Sequence, residues 1–62
     1  MNNFKIVPKM ERNLAAFYIV LPNGESRQIG LIEFPNDKQV VDNVEAINAV
    51  ANIMKRRIKK SI

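Results

Sequence analysis

The sequence predicts an α+β domain, a three-stranded antiparallel sheet packed on one face by a long C-terminal helix (β-β-β-α). Three observations lead to it. "FKIVPKMER" alternates apolar and polar residues with period two; two β-rich runs, "LAAFYIVL" and "SRQIGLIEF", flank a turn containing Asn23-Gly24; and the following stretch repeats its apolar residues with the period of a helix. The expected strands are Phe4–Met10, Ala15–Leu21 and Arg27–Phe34.

The first strand places Phe4, Ile6 and Met10 on one parity and Lys5, Val7, Lys9 and Glu11 on the other. Pro8 lies inside it. Proline has no N–H to donate to a ladder, so this strand belongs at a sheet edge or carries a bulge.

The second and third strands form a hairpin, because Asn-Gly between two β-rich runs is a strong short-range turn signal. Its register has two versions, a strict two-residue loop and a longer loop with a bulge, and a slip of one residue exchanges the faces of a strand. The longer loop groups Phe17, Ile19, Ile29 and Leu31 on one face, and that register is preferred. Tyr18, Val20, Gln28, Gly30 and Ile32 then share the opposite face with Lys5 and Lys9.

Val40, Val44, Ile47, Ala51, Met54 and Ile58 make one stripe of a helix, widened by Val50 and Ile53. Asn36 with Gln39, or Asp42 with Glu45, has the pattern of a capping box. Asp42 is taken as the cap, after an earlier turn near Asn36 and Asp37, and the helix runs from about residue 43 to 60. Such a helix spans about 27 Å against the roughly 17–20 Å of a typical strand, so its last turns, with Met54, Ile58 and Ile62, overhang the sheet. The expected core is Phe4, Ile6, Phe17, Ile19, Ile29, Leu31, Val44, Ile47, Ala51 and Met54.

Residues 1–62 make a single small domain with a basic helix end at 55–62. A chain of this length buries only about 60% of its unfolded surface, so its stability is marginal. It has no Cys and no His, which removes disulfides and ordinary zinc sites, and oligomerisation is the remaining support. The same absences leave nucleophilic and acid–base catalysis without their usual parts, since Ser26 and Ser61 have no base near them in sequence. "PNGES" has one Gly and no Lys-Ser/Thr pair, and reads as a turn rather than a phosphate loop. The chain is therefore read as non-enzymatic, with no cofactor and no metal. Neither a signal-type leader nor an apolar run of membrane-spanning length is present, and the expected location is cytoplasmic.

The formal net charge is +4, but it is not spread evenly. Residues 1–54 carry five basic and six acidic side chains, a net of −1, and the excess lies in Lys55, Arg56, Arg57, Lys59 and Lys60. Cations near a helix C-terminus are favoured by the macrodipole by about 0.3–1 kcal/mol each. Two would suffice for that; five also make a patch able to displace counterions from a phosphate backbone. A second candidate surface is the polar sheet face, where Lys5, Lys9, Tyr18 and Gln28, with Arg12 and Arg27 at the loops, supply residue types used in phosphate and base-edge contacts.

The segment "FYIVLPNGESRQIGLIEF" followed by a helix resembles the small three-strand-plus-helix DNA-binding domains of the AP2 type and of the amino-terminal arm-binding domains of some integrases. The matching residues are Phe17 and Tyr18, Asn23-Gly24, Arg27, Ile29-Gly30, Phe34, and the helix around Ala46 and Ala49. The resemblance implies a sheet that reads DNA, with Lys5, Lys9, Tyr18, Arg27 and Gln28 at the positions that match in role. Here most of the cations sit at the helix end instead.

The expected function is that of a small nucleic-acid-binding or regulatory protein of the mobile-element kind. Duplex DNA is the expected partner, contacted by Lys55, Arg56, Arg57, Lys59 and Lys60 and by Lys5, Lys9, Tyr18, Arg27 and Gln28. The alternative is a protein-interaction module, either a homodimer through the overhanging helix or an adaptor docking on an acidic protein; no membrane partner is expected.

Overall fold

Pro22, Asn23 and Gly24 settle how the chain reverses. In the computed structural model, which describes residues 3–61, the Gly24 N–H donates to the Leu21 carbonyl at 3.0 Å and the Leu21 N–H donates to the Glu25 carbonyl at 2.8 Å. Gly24 has φ +91°, a left-handed conformation that costs glycine little. The Glu25 N–H donates to Asn23 Oδ1 at 3.0 Å. The loop is therefore a three-residue connection closed by a glycine, with proline at the second turn position where its fixed φ fits.

The strands are β1 (Lys5–Glu11), β2 (Leu14–Val20) and β3 (Ser26–Glu33), antiparallel in the order β1-β2-β3. The expected fold class holds, as does the edge position of the strand that contains Pro8. Arg12, at φ +56°, lies in the tight β1–β2 turn. Asn13 fastens that corner, accepting from the Phe34 N–H through its carbonyl at 2.8 Å and donating from Nδ2 to the Phe34 carbonyl at 2.9 Å.

The hairpin register is the main departure from expectation. Next to the turn the longer-loop version holds, with Tyr18 opposite Gln28 and Ile19 opposite Arg27. Beyond a β-bulge at Phe17/Tyr18 the pairing shifts by one, so that Phe17 faces Gly30, Ala15 faces Ile32 and Leu14 faces Glu33. Each version of the register thus describes half of the hairpin. Ile29 is the extra residue and is 37% exposed, while Leu31 turns to the open face and is 54% exposed. Both were expected in the core. Gly30 and Ile32, expected on the open face, turn toward the helices, where Ile32 packs on the core.

The helical stretch is divided. α1 (Asp37–Asp42) is capped by Asn36, whose Oδ1 accepts from the Gln39 N–H at 2.9 Å. α2 (Val44–Ser61) follows after one residue. Asn43 is the joint: its N–H donates to the Val40 carbonyl at 3.1 Å, its Nδ2 to the Gln39 carbonyl at 2.7 Å, and its own carbonyl accepts from the Ile47 N–H at 2.9 Å. Asp42 is thus not the cap of the long helix. It ends α1, and its carboxylate pairs with Lys38 at 2.9 Å.

Phe4, Ala15, Phe17, Val40, Ile47 and Ala51 are buried, with Ile6, Ile32, Phe34, Val50 and Met54 packed against the central cluster. Ala15 and Val40, outside the expected core, join it: Ala15 shares the face of Phe17, and α1 brings Val40, the head of the expected apolar stripe, down onto β2. Val44, expected inside, is 37% exposed, since the chain redirects at Asn43 just before it. Ile19 is half-buried.

Two stability predictions follow from this packing. Phe17→Ala removes the largest fully buried side chain and should lower the unfolding free energy by about 3–5 kcal/mol in denaturant titration. At Gly30 an added Cβ would lie 2.9 Å from Met54 Cε. Gly30→Val should cost about 1–3 kcal/mol by overpacking, whereas Gly30→Ala should cost less because the flexible Met54 methyl can move aside.

Candidate nucleic-acid interface

α2 carries its side chains in two stripes. Ile47, Ala51, Met54 and Ile58 recur at helical spacing; the first two are buried and the others half-buried. Ile53, Arg56, Arg57 and Lys60 stand at i, i+3, i+4 and i+7, and with Lys59 they line a shallow groove of about 610 Å³ along the outer side of the helix. All of its walls belong to one helix, so it is a surface channel between long side chains.

Lys55 stands apart from this group. It is half-buried, with its Nζ 5.9 Å from the centroid of the Phe4 ring, inside the range of a cation–π contact. The five cations are therefore four that face water and one that covers the core at the start of β1. Among the described residues the one ion pair is Lys38–Asp42, and no acidic residue follows Glu45 in the helix. Ser61 Oγ donates to the Arg57 carbonyl at 3.0 Å, which satisfies one open acceptor of the last turn.

The sheet residues divide between two surfaces. Lys5, Lys9, Tyr18 and Gln28 lie on the open face, in neighbouring rows set by the pairs Lys5–Val20, Val7–Tyr18 and Lys9–Ala16 on one side of β2 and Tyr18–Gln28 on the other. Lys9 Nζ is 5.8 Å from the Tyr18 ring centroid. Arg27 does not join them. It lies in β3 opposite Ile19, on the helix side, and with Ile19, Leu21, Glu25 and Ser26 lines a groove of about 570 Å³ at the hairpin end. Since Lys5, Val20 and Ser26 share a row, Arg27 is at the same end of the sheet as Phe4 and Lys55.

The molecule thus has a cationic end and, on the other side of the sheet, a mixed face; the ten candidate residues do not converge on one surface. Sequence reading had no signal for the separation of Lys55 from its neighbours, because the Phe4 ring that holds it is 51 residues away along the chain. The expected apolar overhang includes Ile62, which lies outside the described residues. Among the described residues no group of acidic side chains is placed to hold a metal ion, and no helix is long and apolar enough to cross a membrane.

Comparison of the chain with protein-family models, with curated proteins and with solved structures returned no match.

The Lys55–Phe4 contact is testable by itself. A double-mutant cycle with Lys55→Gln and Phe4→Leu should give a coupling of about 0.5–1 kcal/mol in thermal or denaturant unfolding. Coupling near zero would return Lys55 to the same standing as the four outward cations.

Proposed function

We propose that the protein is a non-enzymatic nucleic-acid-binding protein whose contact is the outer side of α2, with Arg56, Arg57, Lys59 and Lys60 on phosphate oxygens. The observation that carries this reading is the set of four exposed cations within five residues, free of any acidic partner among the described residues. Charges so placed need no rearrangement to meet an anion, and their binding releases condensed counterions. The two arginines add the planar donor geometry suited to phosphate. The sequence resemblance of residues 17–34 and the following helix to AP2-type domains points the same way.

Lys55, half-buried over Phe4, contributes charge to the field and not a direct contact. Arg27 lies at the same end of the sheet and adds to the potential there. A regulatory role of the mobile-element kind, carried out in the cytoplasm, is consistent with a chain that brings binding residues and no catalytic set.

A salt titration of binding to random-sequence duplex DNA tests this. Four phosphate contacts predict a slope of about −3.6 in log K against log salt concentration. Replacing Arg56, Arg57, Lys59 and Lys60 together by Gln should abolish binding at moderate salt, and Lys55→Gln alone should leave the slope nearly unchanged. Binding that is insensitive to the fourfold change would overturn the proposal.

A further inference from the structure

The outward side of β2 is unusual for a strand facing water. Its four outward residues are Leu14, Ala16, Tyr18 and Val20, with no charge among them, although antiparallel sheets commonly turn polar residues to solvent. Val7 from β1 and Leu31 from β3 extend the stripe on either side, and Val7, Leu14 and Leu31 are all exposed.

We propose that this open face is the interface of a homodimer, in which two sheets stack face to face about a two-fold axis running across the strands. The open face consists of four rows: Lys5, Val20, Ser26; Val7, Tyr18, Gln28; Lys9, Ala16, Leu31; and Glu11, Leu14, Glu33. The axis lays the first row on the fourth row of the second copy, and the second row on the third. Lys5 then meets Glu11 of the second copy, and the symmetry makes that contact twice. Along the centre, Tyr18 sets its ring against the small Ala16, a large-on-small pairing that lets facing layers interdigitate, and Val20 meets Leu14.

The other in-plane axis, along the strands, is disfavoured. It would place Glu11 over Glu33 and Tyr18 over Tyr18, joining like charges and two bulky rings. Edge-to-edge pairing is also disfavoured, because Pro8 interrupts the β1 edge and the bulge interrupts β3. The stacked dimer covers Lys5, Lys9, Tyr18 and Gln28 and leaves the outer side of α2 free, so it stands independently of the nucleic-acid proposal.

Within one chain Lys5 and Glu11 lie at opposite ends of β1, about 20 Å apart at 3.3 Å per residue, so restoration by exchange reports a contact between chains. The experiment is sedimentation equilibrium from about 10 μM to about 1 mM, without nucleic acid, on the wild type, Lys5→Glu, Glu11→Lys and the double exchange, with circular dichroism as the check of folding. The expected result is a wild-type dimer that each single change weakens by about tenfold or more through like-charge contacts, and that the double exchange restores. Leu31→Lys, at a position already exposed in the monomer, should weaken the dimer without touching β1 and serves if a β1 variant fails to fold. A wild type that stays monomeric at the highest concentration, a dimer indifferent to Lys5→Glu or Leu31→Lys, or a double exchange as weak as the single changes would overturn the proposal.

Discussion

The bulge at Ile29 is the constraint on which the arrangement depends. One extra residue in β3 moves Gly30 and Ile32 to the helix side and leaves Leu31 on the open face. Gly30 then lies under Met54 with no room for a side chain at its usual distance, and Phe17, directly opposite, is sealed from solvent. Without the shift, Ile29 would stand opposite Phe17 in the place of Gly30, in the space that Met54 fills, and α2 would have to stand farther from the sheet. A single backbone irregularity therefore sets both the depth of the helix and the character of the opposite face.

Much of the fold was legible because it rests on local chemistry. The hairpin followed from Pro22-Asn23-Gly24, the edge position of β1 from Pro8, and the long helix from the spacing of Ile47, Ala51 and Met54. What escaped depends on contacts distant in sequence. The bulge was invisible because "RQIGLIE" carries apolar residues on both parities, Ile29 and Leu31 on one and Ile32 on the other; grouping them favours a single register, and only packing against Phe17 and Met54 selects a change of register midway. The division of the helix at Asn43 was missed for a related reason: Asp42 is an equally good cap by residue type, and the choice falls to the Asn43 side chain returning to Gln39 and to Val40 reaching β2.

The candidate site was legible in composition but not in arrangement. The cluster at Lys55–Lys60 could be read directly, whereas its split into one cation over Phe4 and four facing water depends on how α2 is rotated on the sheet. That rotation is fixed by Ile47 and Ala51 in the core, so the packed stripe decides which cations a phosphate can reach. Likewise the surface of Lys5, Lys9, Tyr18 and Gln28 is separated from Arg27 by the sheet itself. Core packing and charge display are thus linked: the same helix orientation that buries one stripe presents the other.

The direct test of this account is the environment of the Met54 ε-methyl group, read by nuclear Overhauser contacts in solution with methyl-labelled methionine. The structure predicts contacts from that methyl to the Gly30 α-protons and the Phe17 ring, and none to the Leu31 side chain. Contacts to Leu31 in place of Gly30 would mean that β3 runs without the bulge, and would contradict both the packing and the assignment of the open face.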